Sequence, residues 1–134
     1  MVSRCYRPPE IALIEKDYST KVDVWSAGCI LCEMIIALPQ YSIQDSEELR
    51  YLFNSTSCEP LSPHTGNSSG QEESLLEAIV GTLGSPSQED LSFLTSKEAI
   101  EFAASLPAEE GKIIFEKEFD DVDPQLCHIL QNML

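Results

Sequence analysis

The residues of this sequence that most resemble a chemical motif are Cys29 and Cys32, which have the two-residue separation of zinc and redox sites. No second pair with this spacing occurs, and His64 and His128 are distant in sequence and lack a suitably spaced nucleophile. The serine-hydrolase pattern G-x-S-x-G and the zinc-protease pattern H-E-x-x-H are both absent. The cysteine pair lies inside an apolar stretch. We therefore predict two buried thiols that pack as small hydrophobic groups.

A second candidate is the acidic group Asp120, Asp121 and Asp123. Carboxylates suit a hard cation such as Ca²⁺, but the usual calcium-loop spacing with glycine at the sixth position is absent. Asp123 directly precedes Pro124, a pair that is typical of a helix start with proline at the first position. We predict that these acids complement the positive end of a helix dipole and that no metal site exists.

The composition argues against several classes of function. Eight basic and 23 acidic residues give a formal net charge of −15. This charge is unfavourable for a nucleic-acid interface, which needs clustered lysine and arginine, and for adhesion to an anionic membrane. The hydrophobic content of 43% is typical of a globular chain. An odd number of cysteines, five, without a secretory signal predicts a reducing intracellular environment.

The elements that must position any site surround one apolar stretch, residues 21–38. A helix with apolar residues nearly all round must be surrounded by protein. Thr20 and Asp23 fit a capping box at its start, and Pro39 ends it. The run is too short for a membrane span, which needs about 20 apolar residues, and it contains Glu33. We predict a central buried helix.

Further helices are predicted from apolar residues at i, i+3 and i+4 spacing. They lie within 43–53, 73–83, 97–105 and 124–134, with a short helix that starts at Ser87 and Asp90. Gly84 ends the second of them, and Ser96 caps the helix at 97–105. Residues 54–73 contain several prolines and glycines without apolar periodicity, and we predict a mobile insert loop there. The predicted core-facing positions of the later helices are Leu91, Phe93, Leu94, Ile100, Ala104, Leu126, Ile129, Leu130 and Met133.

The strings CYRPPE and YSTKVDVWSAGCILCEM, in this order, resemble the end of the activation segment and the central helix of a eukaryotic protein kinase. The strings AIVGTLGSPSQEDL and SLP resemble the mitogen-activated protein kinase branch. The resemblance covers residues 1–134 apart from the insert, and it matches only the second half of a kinase's large lobe. It implies an all-α fold, a partial C-lobe with the helix at 21–38 in its centre. It also implies that the whole protein transfers the γ-phosphate of ATP to Ser or Thr before Pro.

The resemblance assigns roles to four residues near the start of the sequence. Ser3 and Tyr6 correspond to the loop that holds the substrate residue after the phosphorylated one, where Ser3 hydrogen-bonds the catalytic aspartate and Tyr6 shapes a proline pocket. Arg4 and Arg7 correspond to the arginines that bind the activation-loop phosphotyrosine, a role that suits the bidentate guanidinium group. Considered from the residues alone, the two arginines are surface charges.

Four further residues correspond to structural positions of the family. Glu10 matches a buried carboxylate that pairs with an arginine after the last helix, and Asp23 matches one that accepts backbone hydrogen bonds from the catalytic loop. Neither partner is present in this sequence. The alternative is that Glu10 is a solvated turn residue and Asp23 a helix cap. Trp25 and Gly28 match structural positions of the central helix.

The sequence also departs from the family pattern. Cys5 stands where the family has tryptophan and Pro8 where it has alanine, and both bear on the shape of the substrate pocket. The glycine-rich loop, His-Arg-Asp and Asp-Phe-Gly, which serve ATP, Mg²⁺ and catalysis, do not occur. ATP and Mg²⁺ are therefore implied for a full-length relative, and we predict no catalytic residue and no ATP turnover in this chain.

The resemblance implies protein substrates, an upstream kinase and a location in the cytoplasm or nucleus. Residues 73–106 match a family insert that contacts partner proteins, and a packing layer over the central helix is an equally good interpretation. An alternative function is a non-catalytic, pseudokinase-like or adaptor fragment that binds partners through this surface. A third interpretation is an incomplete product that does not fold alone.

Overall fold

The computed structural model describes residues 3–16, 18–38, 51–55, 57–58, 74–106, 110–111 and 122–134. These ranges contain a 3-10 helix and five α-helices, and the only β-pairing among them is an isolated bridge between Ser57 and Ser74. The predicted all-α partial C-lobe is confirmed. The helices are the 3-10 helix Arg4–Tyr6, α1 Pro9–Ala12, α2 Lys21–Ile36, α3 Leu75–Leu83, α4 Lys97–Ser105 and α5 Pro124–Met133.

Helix α2 is the predicted central helix, and it is buried along one side. Its core-facing residues are Trp25, Gly28, Cys29, Cys32 and Ile35. At Gly28 the backbone of α2 comes so close to α5 that an added Cβ would lie 2.9 Å from the Met133 Cβ. The crossing of these two helices therefore depends on the missing side chain of a single glycine.

The prediction that protein surrounds α2 on all sides is wrong. Val24, Ile30 and Met34 are 44%, 50% and 63% exposed. Ile30 and Met34 lie on the side of α2 that faces away from Trp25, Cys29 and Cys32, whereas Val24 is in the first turn of the helix, close in angular position to Ile35. The apolar sequence pattern thus overstates the burial of this helix.

The predicted capping box of α2 is also absent. Thr20 itself has helical angles, φ −60° and ψ −8°, and its side chain makes no capping hydrogen bond. Instead, the Lys21 N–H donates to the Ser19 hydroxyl oxygen at 3.2 Å. A capping side chain normally needs an extended backbone to reach the first turn, and Thr20 lacks one. The helix ends at Ile36, and Pro39 lies outside the described residues.

The thiols of α2 behave as the sequence predicts. Cys29 and Cys32 are free and fully buried. Burial, together with the neighbouring Glu33 carboxylate, raises the pKa of each thiol to about 12. Both thiols are consequently protonated and unreactive at neutral pH, because the thiolate is the reactive form.

Helix α3 begins and ends at polar signals. The Ser74 N–H donates to the Glu77 carboxylate at 3.0 Å, and Gly84 terminates the helix with φ 99°, as the sequence predicts. The Leu75 N–H donates to the Ser57 carbonyl at 3.0 Å. The described part of the predicted insert is accordingly packed: Ser55, Ser57 and Cys58 are buried, and residues 59–73 lie outside the described residues.

The segment between α3 and α4 starts as predicted but does not form a helix. The Asp90 carboxylate accepts hydrogen bonds from the Ser87 N–H and hydroxyl, both at 2.8 Å. Residues 88–93 then form turns. Leu94 is buried, as predicted, whereas Phe93 is 43% exposed.

Helix α4 is rotated by about one residue from its predicted orientation. Ser96 caps it as expected, since its hydroxyl oxygen accepts the Ala99 N–H at 3.3 Å. The prediction that Ile100 and Ala104 face the core is wrong, because Ile100 is 45% exposed and Ala104 is exposed. Ala99 and Ala103 are buried instead. Two alanines four residues apart make a small-residue face that can approach the core closely.

Helix α5 has the predicted start. The Asp123 carboxylate accepts the Gln125 N–H at 2.8 Å, and Pro124 occupies the first turn. Leu130 is fully buried and Cys127 nearly so, but the predicted burial of Ile129 is wrong because it is 52% exposed. The predicted helix within 43–53 and the acids Asp120 and Asp121 fall largely outside the described residues.

Candidate functional site

Two hydrogen bonds attach the 3-10 helix Arg4–Tyr6 to α2, one through the side chain of Tyr6 and one through its backbone carbonyl. The Tyr6 hydroxyl donates to Glu33 Oε2 at 2.9 Å. The Ser26 hydroxyl donates to the Tyr6 carbonyl at 2.9 Å and is also 3.0 Å from the Val22 carbonyl. We call the group Tyr6, Ser26 and Glu33 the tyrosine seat. It fixes the backbone and the side chain of Tyr6 against the central helix.

Glu33 also connects this seat to residues 51–55. Its Oε1 accepts the Leu52 N–H at 3.1 Å, and the Tyr51 ring meets the Tyr6 ring edge-on at 6.2 Å between centroids. Burial, together with the hydrogen bond to Glu33, raises the pKa of Tyr6 to about 12. A neutral hydroxyl beside a carboxylate is a charge-assisted hydrogen bond, one of the stronger kinds in proteins.

The structural roles of Glu33 and Ser26 are not predicted by the sequence motifs, although the charge of Glu33 does disfavour a membrane span. The available signal was the spacing: the two polar residues are seven positions apart, which puts them on one face of an otherwise apolar helix. A pair of polar residues two turns apart on such a helix indicates a polar neighbour.

The four residues that the sequence assigns to substrate and phosphotyrosine binding lie on one short turn. Ser3 and Arg4 are exposed, while Tyr6 and Arg7 are partly buried. The turn is closed by the Tyr6 N–H, which donates to the Ser3 carbonyl, and by the Arg7 N–H, which donates to the Arg4 carbonyl, both at 3.1 Å. The Tyr6 hydroxyl is occupied by Glu33. Tyr6 can therefore shape a neighbouring pocket by its ring and backbone.

Glu10 and Trp25 line the same cavity of about 420 Å³, between α1, α2, α3 and the turns that precede α4. Glu10 is partly buried, between the two alternatives that the sequence left open. The Trp25 ring stacks on Phe53 at 5.5 Å and 19°, and within the described part of the chain its Nε1 has no hydrogen-bond partner. Asp90 also lines this cavity, so its walls combine apolar side chains with two carboxylates.

Asp23 and Gly28 have separate surroundings from this cavity. Asp23 is exposed in the first turn of α2, where its N–H donates to the Thr20 carbonyl at 3.1 Å. Its carboxylate suits the positive end of the helix dipole. Gly28 marks the crossing with α5, as described above.

A buried carboxylate that the sequence analysis did not single out is Glu15, which is 5% exposed. Its Oε2 accepts the Thr95 N–H at 2.8 Å, and its Oε1 accepts the Thr95 hydroxyl and the Lys16 N–H, each at 2.9 Å. Glu15 and Thr95 border a second cavity, of about 540 Å³, beneath the start of α4. A charged residue within a mostly polar stretch gave no signal of this burial.

Within the described ranges, no three His, Cys, Asp or Glu side chains come together in a way that could hold a metal ion. None of the described helices has both the length and the apolar character that crossing a bilayer requires.

Comparison with known proteins places these observations in a family. The model of the protein kinase domain matches residues 1–111. The chain is 33% identical over 132 residues to the mitogen-activated protein kinase Sty1 of Schizosaccharomyces pombe, covering 98% of this chain and 30% of that protein. It is 30% identical to KSS1 of Saccharomyces cerevisiae, with 100% and 30% covered, and 31% identical to Hog1 of Zymoseptoria tritici, with 98% and 29% covered. The chain thus spans less than a third of the length of these relatives. It belongs to the protein kinase family, in the mitogen-activated branch.

Proposed function

We propose that this chain is the substrate-loop part of a serine/threonine kinase that transfers the γ-phosphate of ATP to Ser or Thr before Pro. The relatives are mitogen-activated protein kinases, which supports the reaction class. The observation that carries the proposal is the tyrosine seat, which holds the 3-10 helix on α2 with Ser3 and Arg4 exposed. The proposal places the whole protein in the cytoplasm or nucleus, with protein substrates and an upstream kinase as partners.

The roles proposed for the residues of this turn come from the family resemblance. Ser3 presents its hydroxyl to the catalytic aspartate of the whole protein, and the Tyr6 ring borders the proline pocket. Arg4 and Arg7 bind the phosphotyrosine, since guanidinium groups donate two hydrogen bonds to phosphate oxygens. Cys5 replaces a larger aromatic residue in the family pattern, so the proposed pocket is wider there. Glu10, which lines the same cavity as Trp25, pairs with an arginine of the whole protein that is not part of this sequence.

ATP and Mg²⁺ are proposed cofactors of the whole protein. The motifs that bind them are absent from this sequence, and no step of the reaction can be derived from its residues. We therefore expect that the purified chain does not hydrolyse or transfer phosphate from ATP.

A chimera tests the proposal. Residues of Sty1 that align with this chain are replaced by this chain, and initial rates are measured on a Ser-Pro peptide and on the same peptide with Ser-Ala. We expect a chimera that prefers Ser-Pro, as the parent does, and that loses rate when Arg4 and Arg7 become alanine. A folded chimera with full ATP binding but no preference for proline would contradict the assigned substrate loop.

A second candidate function is a partner-binding surface within residues 73–106. The supporting observation is the 420 Å³ cavity, which α3, the turns at 88–93 and α4 border, together with the exposed side chains of Phe93 and Ile100. Concave surfaces lined mainly by apolar side chains with a few polar groups are typical of binding sites.

This candidate is tested with a displayed peptide library selected on the chain. Bound peptides should lose affinity when Phe93 becomes aspartate and should keep it when Ile129, an equally exposed residue on α5, becomes aspartate. Leu94 is unsuitable for this test because it is 7% exposed, so its replacement by aspartate would report on folding. Peptides that respond equally to both variants would place the interaction elsewhere.

A further inference from the structure

Tyr51 supplies a second aromatic ring beside the turn that carries the proposed substrate residues. Its ring meets the Tyr6 ring edge-on, with 6.2 Å between the centroids and 86° between the ring planes. Aromatic pairs favour this arrangement, because the positive edge of one ring faces the negative face of the other. Both tyrosines are only partly buried, so each residue also keeps part of its surface accessible.

The segment that carries Tyr51 is fixed at the two residues that follow it. The Leu52 N–H donates to Glu33 Oε1 at 3.1 Å, and Oε2 of the same carboxylate accepts the Tyr6 hydroxyl at 2.9 Å. One carboxylate therefore holds both of the segments that carry the two rings. The next side chain, Phe53, is fully buried. The distance between the two tyrosine rings is thus set by contacts with the core.

The turn itself contains a single aromatic residue. Residues 3–7 are Ser, Arg, Cys, Tyr and Arg, and Cys5, next to Tyr6, stands where the family pattern has tryptophan. A second aromatic wall for this turn must therefore come from another part of the chain. Tyr51 provides such a wall, because it contacts the one ring that the turn has.

We propose that Tyr51 is a specificity-determining residue, which forms with Tyr6 a two-ring wall for the substrate residue after the phosphorylated one. Proline suits such a wall, because its rigid ring packs on aromatic surfaces with little loss of conformational freedom. Alanine at the same substrate position would bury less apolar surface against the two rings. The role of this wall in substrate selection rests on the function proposed above, whereas the contact between the rings does not.

The Sty1 chimera tests the proposal through the ratio of its kcat/KM values on the Ser-Pro and Ser-Ala peptides, which measures specificity. Tyr51→Leu removes the ring but keeps an apolar side chain. It should lower this ratio by about threefold to tenfold, which is the range expected for one aromatic contact. Tyr51→Phe keeps the ring, and its ratio should stay within about twofold of the unmutated chimera's.

Tyr18→Leu is the matched control for this substitution. Tyr18 is 56% exposed in the segment before α2, and its replacement should leave the ratio unchanged. The ratio also separates specificity from a purely structural role of Tyr51. A structural defect would lower the rates on both peptides alike, whereas loss of a proline contact lowers the rate on Ser-Pro more than the rate on Ser-Ala.

A second measurement needs no folded variant. In the unmutated chimera with isotope-labelled tyrosine, NMR detects short distances between the proline ring of a bound Ser-Pro peptide and individual tyrosine rings. We expect contacts from this proline to the rings of Tyr6 and Tyr51 and none to the ring of Tyr18. If Tyr51→Leu does not fold, as judged by loss of ATP binding, this measurement decides.

An unchanged ratio in a folded Tyr51→Leu chimera overturns the proposal, and so does a proline that contacts Tyr6 but not Tyr51. These results would leave the proposed function intact, because the chimera would still prefer proline. A chimera that has Tyr51 and binds ATP but shows no preference for proline would instead refute the proposed function, and the role of Tyr51 with it. The two failures are therefore distinguishable.

Discussion

Gly28 and Gly81 allow one substitution to be compared in two environments. Both are helical glycines, and alanine is favoured over glycine by about 1 kcal/mol in a helix interior. At Gly81 a new Cβ would meet nothing within 4 Å. At Gly28 it would lie 2.9 Å from the Met133 Cβ and 3.1 Å from the Leu134 Cδ2. The Met133 Cβ is fixed to the backbone of α5, so relief requires movement of that helix.

The magnitude follows from these two terms. Gly81→Ala should raise the free energy of unfolding by about 0.5–1 kcal/mol through helix propensity alone. Gly28→Ala gains the same term but overpacks the crossing of α2 and α5, at a cost of about 1–3 kcal/mol. The difference between the two variants removes the shared propensity term. It should therefore be about 1–3 kcal/mol, with Gly28→Ala the less stable.

Urea denaturation gives the free energies, and Trp25 is a suitable fluorophore because it is the one tryptophan in the sequence and is buried against Phe53. Both variants should unfold with the wild-type dependence on urea, so that the midpoints can be compared directly. Equal stabilisation by both alanines would refute the close approach of α5 to Gly28. Absence of any cooperative transition in the wild-type chain would favour the interpretation that it does not fold alone.

Three further predictions follow from contacts described above. In the folded chain the pKa of Tyr6 is raised from 10 to about 12, so its contribution to stability is complete below pH 10 and is lost as the pH rises towards 12. Urea midpoints measured from pH 8 to 12 should therefore fall. The fall between pH 10 and 12 should be smaller in Tyr6→Phe. At neutral pH, Cys29 and Cys32 should react with a thiol reagent only in urea, and reaction of both in the folded chain would contradict their burial. Ala103→Leu should lower the free energy of unfolding by about 1–3 kcal/mol, whereas Ala104→Leu on the exposed side of α4 should leave it nearly unchanged. The reverse order would support the orientation of α4 that was predicted from the sequence.

Local signals in the sequence predicted the helix ends well. Gly84, Ser96 and the pair Asp123–Pro124 each act within one turn, and all three lie where expected. The wrong prediction of a cap at Thr20 also concerns a single turn. The pattern identified a residue type that caps helices, but the backbone of Thr20 is already helical. Residue type can indicate a cap, whereas its geometry depends on how the chain enters the helix.

The orientation of α4 was harder to predict because it depends on what the helix packs against. Periodicity identified an amphipathic segment, and the larger residue Ile100 was assigned to the core on hydrophobicity. The structure buries the alanine face instead, since Ala99 and Ala103 allow close approach. Size complementarity between two packed surfaces cannot be seen in the sequence of one segment alone.

The seat of Tyr6 and the hydrogen bonds from Thr95 to Glu15 could not be predicted from the sequence for a related reason. Each joins residues far apart in the chain: Tyr6 and Glu33 are 27 positions apart, and Glu15 and Thr95 are 80. The family resemblance located the substrate turn by its motif, but a motif does not state what holds it. Only the packing of distant segments shows that the Glu33 carboxylate anchors the turn and that the Glu15 carboxylate is buried against Thr95.

The exposed side of α2 shows what an apolar pattern measures. Val24, Ile30 and Met34 are hydrophobic and yet 44–63% exposed, while Trp25, Cys29 and Cys32 are buried. Hydrophobic residues on both sides of a helix are typical of one with protein on both sides. The described elements supply only one of these sides, and the relatives, of which this chain covers about 30%, contain more than three times as many residues. The apolar pattern of α2 therefore predicts more burial than the described elements give this helix.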